Sequence, residues 1–285
     1  MSELEILKIE QDEYLPTIWE SVKLLLMYVV LMFIPTFLLM IVYALFKLPV
    51  DPLMHGLASV GGLGLLIVWL RRKRSVNLKQ LFSTNGIATA HYVPMVLVVF
   101  GVSVILSECD NLFRTYWPMS GFWSDALGTL TSGNTGLWKS ALAVAVIAPV
   151  VEEILFRGLI LRGFLKHYSV NKAIVVSSLL FALFHMNPWQ FLAAFIYGLI
   201  TAWWFVRTGS LVMCIFIHAL NNSKSYILRA LGIHIPGFTG SGGVIEFQPM
   251  WFNALGLITL AVGVVVLYNL VRKQQSREAP LAVER

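Results

Sequence analysis

The sequence has little charge, few acids and almost no cysteine. Only 13% of its 285 residues are charged, about half of what a soluble domain carries, whereas 58% are hydrophobic. The two cysteines, Cys109 and Cys214, fit neither a metal-ligand spacing nor a disulfide framework. The acidic N-terminus lacks the pattern of a cleaved signal peptide, so we expect the first apolar span to direct insertion. These absences exclude a soluble domain and a disulfide-rich fold.

Apolar runs long enough to cross a bilayer recur along the chain. We predict an all-α, polytopic transmembrane helix bundle with its active site in the bundle core. About eight spans are expected, at 19–46, 53–70, 92–106, 137–164, 173–186, 189–206, 210–231 and 251–271. Most Lys and Arg residues then lie on one side, so the net charge of +6 is an orientation signal rather than a sign of nucleic-acid binding. We expect both termini in the cytoplasm and the protein in a bacterial inner membrane.

We divide the chain into four segments by composition. A polar N-terminal segment (1–18) precedes three spans with an outer loop (19–137), a core of four spans (138–231), and a loop with the last span and a basic tail (232–285). The aromatic-rich loop from Ser107 to Trp138 is expected to lie at the membrane interface and to include a short surface helix.

Polar residues inside the apolar spans are concentrated in the predicted core, and we expect them to be functional because such residues are costly in a bilayer. A helical rise of about 1.5 Å per residue places four of them about 14–20 Å deep. This agreement in depth predicts a single site, although a lone intramembrane His is more often a packing partner. The four residues are Glu152, His185, His218 and Asn222.

Helical geometry separates the two adjacent carboxylates. Arg157 lies about 40° from Glu153 around the helix axis but about 140° from Glu152. We therefore predict a supporting Glu153–Arg157 ion pair and a Glu152 that is left free to act on a proton. Pro149 is expected to kink this helix and to free a backbone carbonyl near the site, which would admit water.

Two chemistries fit these residues. A carboxylate and an imidazole that share a water form a general base for hydrolysis, and a second His with an amide suits an oxyanion hole. Glu152, His185 and His218 also match the ligand set of a hydrolytic zinc. The helical H-E-x-x-H pattern is absent and an Asn amide is a poor zinc ligand, so we prefer a site without metal or other cofactor and keep zinc as the alternative.

At these positions the chain resembles the CPBP intramembrane protease family, which includes CAAX prenyl proteases and bacteriocin-processing or immunity proteins (the Abi family). The family pattern is E-E-x-x-x-R, F-x-x-x-H, F-x-x-G and H-x-x-x-N, in that order. The chain has EEILFR from Glu152, FALFH from Phe181, FIYG from Phe195 and HALNN from His218. The RTGSL run that begins at Arg207 is also typical of the family. The resemblance covers about residues 138–225.

The resemblance implies an intramembrane endopeptidase. Glu152 and His185 would activate the water, and His218 with Asn222 would stabilise the oxyanion. Supporting roles would fall to Glu153, Arg157 and Phe181. The family is often described as metalloproteases, yet the prenyl-protease branch is similar to metal-free, glutamate-dependent hydrolases. The substrates would be hydrophobic, prenylated or leader peptides, and the protein would bind them while it is surrounded by membrane lipid.

Two other functions stay open at this point. Family members can also be non-proteolytic scaffolds or bacteriocin-immunity proteins, which would keep the polar core for binding. A proton-coupled transporter would also carry buried Glu and His, but transporters often contain internal repeats and paired broken helices, and the sequence shows neither. The sequence predicts neither the substrate nor the oligomeric state.

Overall fold

A computed structural model describes residues 14–74, 76, 82, 89–125, 136–239 and 245–278, with side chains up to residue 272. Helices make up most of these ranges, and no β-strand occurs in them. The prediction of an all-α membrane helix bundle is therefore confirmed. Residues 1–13, most of the predicted N-terminal segment, lie outside the described residues, and residues 14–17 have no regular secondary structure.

Each predicted span corresponds to one helix. In chain order the helices are α1 (Ile18–Leu45), α2 (Pro52–Lys73), α3 (Tyr92–Tyr116), α4 (137–167), α5 (Val170–Phe184), α6 (Pro188–Thr208), α7 (Leu211–Ala230) and α8 (Met250–Glu278). The predicted end of the third span at 106 is wrong, because α3 continues to Tyr116. Its polar last turns include the Asp110–Arg114 ion pair at 2.7 Å. The loop predicted from Ser107 therefore begins after α3. It has a helical segment at 121–125, and residues 126–135 lie outside the described part.

Within the described residues, five helices are long and apolar enough to cross a membrane. They are α1, α2, α3 with the turn before it (Thr89–Tyr116), α6 and α8 (Met250–Arg272). The chain is therefore an integral membrane protein. Of the rest, α5 has only 15 residues, α4 is divided into α-helical and π-helical segments, and α7 carries Lys224 and Arg229. Eight crossings thus stay a prediction.

The chain forms two compact units that alternate along the sequence. The first comprises Met1–Gly86 and Met119–Ile227, and the second comprises Ile87–Pro118 and Leu228–Arg285. The first unit contains α1, α2 and α4 to α6 with most of α7, and the second contains α3 and α8. The four segments predicted from composition describe functional regions and stay a prediction.

Helices α1 and α2 pack closely against each other in the first unit. A Cβ atom on Gly62 would lie 2.5 Å from Met32 Cγ, and one on Gly61 would lie 2.7 Å from Pro35 Cβ. Only glycine therefore lets the two helices approach at these positions. Asp51 caps α2 by accepting from the Met54 N–H and from Lys139 Nζ, which ties the start of α2 to the start of α4.

Candidate active site

Glu152 on α4 faces the imidazoles of two other helices. Its Oε2 atom lies 3.9 Å from His185 Nε2 and 3.9 Å from His218 Nε2. This oxygen is buried and has no hydrogen-bond partner among the described residues. The side chain as a whole is 21% exposed, so the carboxylate is not sealed in the core. Three of the four side chains that were predicted to form one site therefore lie together, and what each does in a reaction stays a prediction.

Glu153, the next residue, is tied down on both oxygens. Its Oε2 atom lies 3.1 Å from Arg157 Nε, and its Oε1 atom lies 2.9 Å from His218 Nδ1. Both Glu153 and Arg157 are almost completely buried. The predicted ion pair is confirmed, as is the different orientation of Glu152. The contact between Glu153 and His218 was not predicted, because the two residues are 65 positions apart and spacing within one helix cannot reveal a contact to another helix.

Phe181 forms the apolar floor under these groups. Its ring centroid lies 4.9 Å from that of His185 and 5.6 Å from that of His218, in edge-to-face geometry. The Arg157 guanidinium carbon lies 4.7 Å from the same ring centroid, within cation–π range. The Phe181 carbonyl also accepts from His185 Nδ1 at 2.9 Å. One residue thus contacts both imidazoles and the arginine, and its supporting role stays a prediction.

The partners of the imidazoles determine which nitrogen carries a proton. A carbonyl oxygen only accepts hydrogen bonds, so His185 Nδ1 must donate to Phe181, and the neutral ring then presents an unprotonated Nε2 to Glu152. The Glu153 carboxylate likewise receives its hydrogen bond from His218 Nδ1. Both rings are therefore held by Nδ1 and direct Nε2 to the same carboxylate oxygen.

Asn222 reaches α4 at a place where the helix widens. Residues Leu142–Ile147 form a π-helical turn in which the Ala148 N–H bonds to the Ala143 carbonyl, five residues earlier. Position 149 would continue this pattern to the Val144 carbonyl, but a proline has no N–H. Asn222 Nδ2 donates to that carbonyl at 2.9 Å instead. Pro149 thus leaves the Val144 carbonyl without a backbone donor, and the Asn222 side chain supplies the hydrogen bond instead.

Gly198 explains the third motif. Its carbonyl accepts from Arg157 Nη2 at 3.1 Å, which anchors the buried guanidinium to α6. A Cβ atom at this position would lie 3.0 Å from Ser178 Cβ, so a larger residue would force α6 and α5 apart by a few tenths of an ångström. The motif residue Phe195 stacks on Phe191, with ring centroids 6.4 Å apart.

A metal site is the second arrangement that the sequence allows for these residues. Within the described residues, no group of three or more His, Cys, Asp or Glu side chains is arranged to hold a metal ion. The zinc alternative would use Glu152, His185 and His218. Both imidazoles bond through Nδ1 and present Nε2 at 3.9 Å from Glu152 Oε2, an orientation that zinc-binding histidines also adopt. The preference for a metal-free reaction stays a prediction.

Comparison with known proteins shows which family the site region is similar to. Residues 134–223 match the family model described as "Type II CAAX prenyl endopeptidase Rce1-like". No curated protein and no solved structure matches the chain significantly. The matched segment begins just before α4 and ends within α7, so it contains all four motifs and every residue of the candidate site. Residues 134–223 are therefore similar to the Rce1-like type II CAAX prenyl endopeptidases, which confirms the resemblance read from the motifs.

Proposed function

We propose that this chain is an intramembrane endopeptidase that hydrolyses peptide bonds in hydrophobic or membrane-associated peptides. The observation that carries the proposal is the position of Glu152 Oε2, 3.9 Å from two imidazole nitrogens and without a hydrogen-bond donor among the described residues. The name of the matched family adds the substrate class, which would be prenylated peptides, with leader peptides as the second choice.

Glu152 and His185 would activate the attacking water. Their 3.9 Å separation is too long for a direct hydrogen bond but is short enough for a water bound beside both groups. One hydrogen of this water would bond to Glu152 Oε2 and the other to the unprotonated His185 Nε2. The carboxylate then takes a proton as the oxygen attacks the peptide carbonyl, and it returns that proton to the leaving amine.

Asn222 and His218 would stabilise the oxyanion. The Asn222 Nδ2 group has two hydrogens and gives one to Val144, which leaves the second for a ligand. His218 can donate through Nε2 only as an imidazolium, because Nδ1 already donates to Glu153. The buried Glu153 carboxylate holds the His218 ring in this orientation through its hydrogen bond with Nδ1.

We also propose that both termini face the cytoplasm. Arg71, Arg72, Lys73 and Arg74 end α2 as an exposed cationic run, and such runs remain on the cytoplasmic side of bacterial membranes. A cysteine placed at position 74 should then react with a membrane-impermeant maleimide in inverted vesicles only. Labelling from the outside of intact cells would reverse the topology.

The test of function is cleavage of a library of lipidated and unlipidated hydrophobic peptides by the purified protein in proteoliposomes. Glu152→Gln, His185→Ala and His218→Ala should each lose about 10²–10⁴-fold in kcat. His55→Ala, which alters an exposed imidazole on α2, is the matched control and should retain wild-type activity. Equal turnover by all five proteins would refute the assignment.

The same assay separates the alternatives. Activity that is lost with a chelator and restored by zinc would favour the zinc-dependent form. A well-folded wild type that cleaves no peptide, and yet binds one in a Glu152-dependent way, would favour a non-proteolytic scaffold or immunity protein.

A further inference from the structure

We propose that Lys224 is a positioning residue that fixes the orientation of the Asn222 amide through the neighbouring Asn221. The inference rests on the proposed oxyanion role of Asn222 and names a residue that this role requires. Lys224 is one position beyond the segment that matches the family, and no motif of the sequence includes it.

A continuous hydrogen-bond chain joins the lysine to α4. Lys224 Nζ donates to Asn221 Oδ1 at 2.8 Å. Asn221 Nδ2 donates to Asn222 Oδ1 at 3.1 Å, and Asn222 Nδ2 donates to the Val144 carbonyl at 2.9 Å. The chain begins on one turn of α7 and ends at the carbonyl that Pro149 leaves without its backbone donor.

The two ends of this chain allow only one direction for the amides between them. An ammonium group has donors and no acceptor, so the Asn221 oxygen must face Lys224. The Asn221 nitrogen must then face Asn222 and meet its oxygen, which directs the Asn222 nitrogen toward α4. At the far end the Val144 carbonyl can only accept. If either amide were rotated by 180°, two donors or two acceptors would face each other at both of its contacts.

The charge of Lys224 strengthens this arrangement. No carboxylate among the described residues lies within ion-pair distance of Lys224 Nζ, and Asn221 is the acceptor that the structure gives it. A hydrogen bond from a charged donor is about twice as strong as a neutral one, and it polarises the bonds that follow it in a chain. The second Nδ2 hydrogen of Asn222 is therefore both aimed and made a better donor for a developing oxyanion.

The first experiment compares three substitutions of Lys224 in the peptide-cleavage assay. Lys224→Met keeps the length of the side chain and removes the donor, and we expect kcat to fall about tenfold with KM unchanged, because the amide loses its fixed orientation during the chemical step. Lys224→Arg is also a donor without an acceptor and should restore kcat to within about threefold of wild type. Lys224→Gln, which can donate or accept, should lie between them.

The second experiment places Lys224→Met in an Asn222→Ala background. If Lys224 acts through Asn222, Lys224→Met should lower kcat by less than about twofold in this background, since the group that the lysine orients is gone. The same tenfold loss in both backgrounds would overturn the proposal. Asn222→Ala tests the proposed function separately: wild-type activity of this variant would remove the oxyanion role whatever Lys224 does.

A third measurement does not depend on turnover. The side-chain ¹⁵N–¹H resonances of Asn222 in detergent-solubilised protein should shift on Lys224→Met and remain near their wild-type positions on Lys224→Arg. Resonances that are unchanged in both variants would refute the orienting role even if the protein cleaves no peptide. Thermal unfolding of each variant must stay close to wild type, because a general loss of structure would move every resonance.

Discussion

Glu108 in α3 and Glu152 in α4 both lie in mainly apolar helices, yet the groups around them differ in kind. Glu108 Oε2 accepts from the Gln248 N–H and from Asn111 Nδ2, each at 3.0 Å, and Oε1 accepts from Asn253 Nδ2 at 3.4 Å. Glu152 Oε2 accepts from no donor in the described part of the chain and faces two imidazole nitrogens. A carboxylate whose acceptor sites are filled holds structure, whereas one left open can take a proton.

The surroundings of Glu108 show what a purely structural polar cluster looks like in this chain. Asn111 Nδ2 and Ser107 Oγ both donate to the Gly237 carbonyl, at 2.8 and 2.9 Å. Gln248 Nε2 donates to the Val104 carbonyl at 3.1 Å. These bonds tie the segment that follows α7 to α3. The donors are amides, a hydroxyl and backbone N–H groups, and none of them can exchange a proton with Glu108 near neutral pH.

The largest effect on stability is expected from Glu153→Ala, because this change leaves the Arg157 guanidinium buried without its carboxylate. Removal of one partner of a buried pair typically costs about 3–5 kcal/mol. Glu153 also holds His218, so activity should be lost as well. Urea unfolding of the purified protein in detergent measures the loss of stability.

The double variant Glu153→Ala/Arg157→Met is the matched control for that change. It removes the uncompensated charge and should recover a large part of the stability but none of the activity, since His218 still lacks its partner. Recovery of activity along with stability would show that Glu153 serves only to neutralise Arg157.

The next largest effect is expected from Glu108→Ala, which should lower stability by about 1–3 kcal/mol by leaving the Gln248 N–H and the Asn111 amide without their shared acceptor. Hydrogen exchange of the Gln248 amide should accelerate in parallel. Glu108→Gln keeps one acceptor oxygen and should lose less. If Glu108→Ala unfolded at the wild-type urea concentration, the anchor seen in the structure would have no energetic weight.

Sequence reasoning succeeded where the information is local. Apolar runs predict a helix for each span, and the i,i+4 spacing predicts both the Glu153–Arg157 pair and the separate orientation of Glu152. Agreement in depth brought Glu152, His185 and His218 together, because residues on packed parallel or antiparallel helices meet only at a common height.

Sequence reasoning failed where a contact depends on rotation about a helix axis or on a change of helical pitch. Periodicity cannot show that Glu153 faces His218, 65 residues away, or that a π-helical turn before Pro149 places the Val144 carbonyl opposite Asn222. The end of α3 was missed for a related reason. Its last turns are polar but helical, with the Asp110–Arg114 ion pair and a hydrogen bond from Thr115 Oγ1 to the Asn111 carbonyl, and hydropathy does not register such contacts.

A smaller effect is expected from Gly198→Ala. The new methyl group would lie 3.0 Å from Ser178 Cβ, so α5 and α6 must separate slightly at a cost of about 1 kcal/mol, the low end for overpacking. The same shift moves the Gly198 carbonyl that accepts from Arg157. The loss in kcat, expressed as a free energy, should therefore be larger than the loss in the free energy of unfolding. Gly64→Ala is the control, because no described atom lies within 4 Å of the added methyl, and it should slightly stabilise α2. An equal loss of stability in both variants would contradict the packing argument.

The smallest effect is expected at Asp51, a third carboxylate. Like Glu108 it accepts hydrogen bonds, but one of its donors, Lys139, is charged. Burial raises the pKa of Asp51, but the hydrogen bonds from Lys139 and from the Met54 N–H outweigh it and hold the pKa below its usual value. Because the pKa is lower in the folded chain, Asp51 stabilises the fold above its unfolded pKa of about 3.9, and this contribution disappears as the pH falls through the folded value.

Asp51→Asn should therefore lower Tm by about 2 °C between pH 6 and 8, and the difference from wild type should shrink steadily below about pH 4. Lys139→Met should lose the same pH dependence, since it removes the first of the donors that lower the pKa. A difference between wild type and Asp51→Asn that persists unchanged to pH 3 would mean that the cap needs only an acceptor oxygen. Asp51 would then act only as a hydrogen-bond acceptor, as Glu108 does. Glu152 would be the one carboxylate of these three with a proposed role in proton transfer.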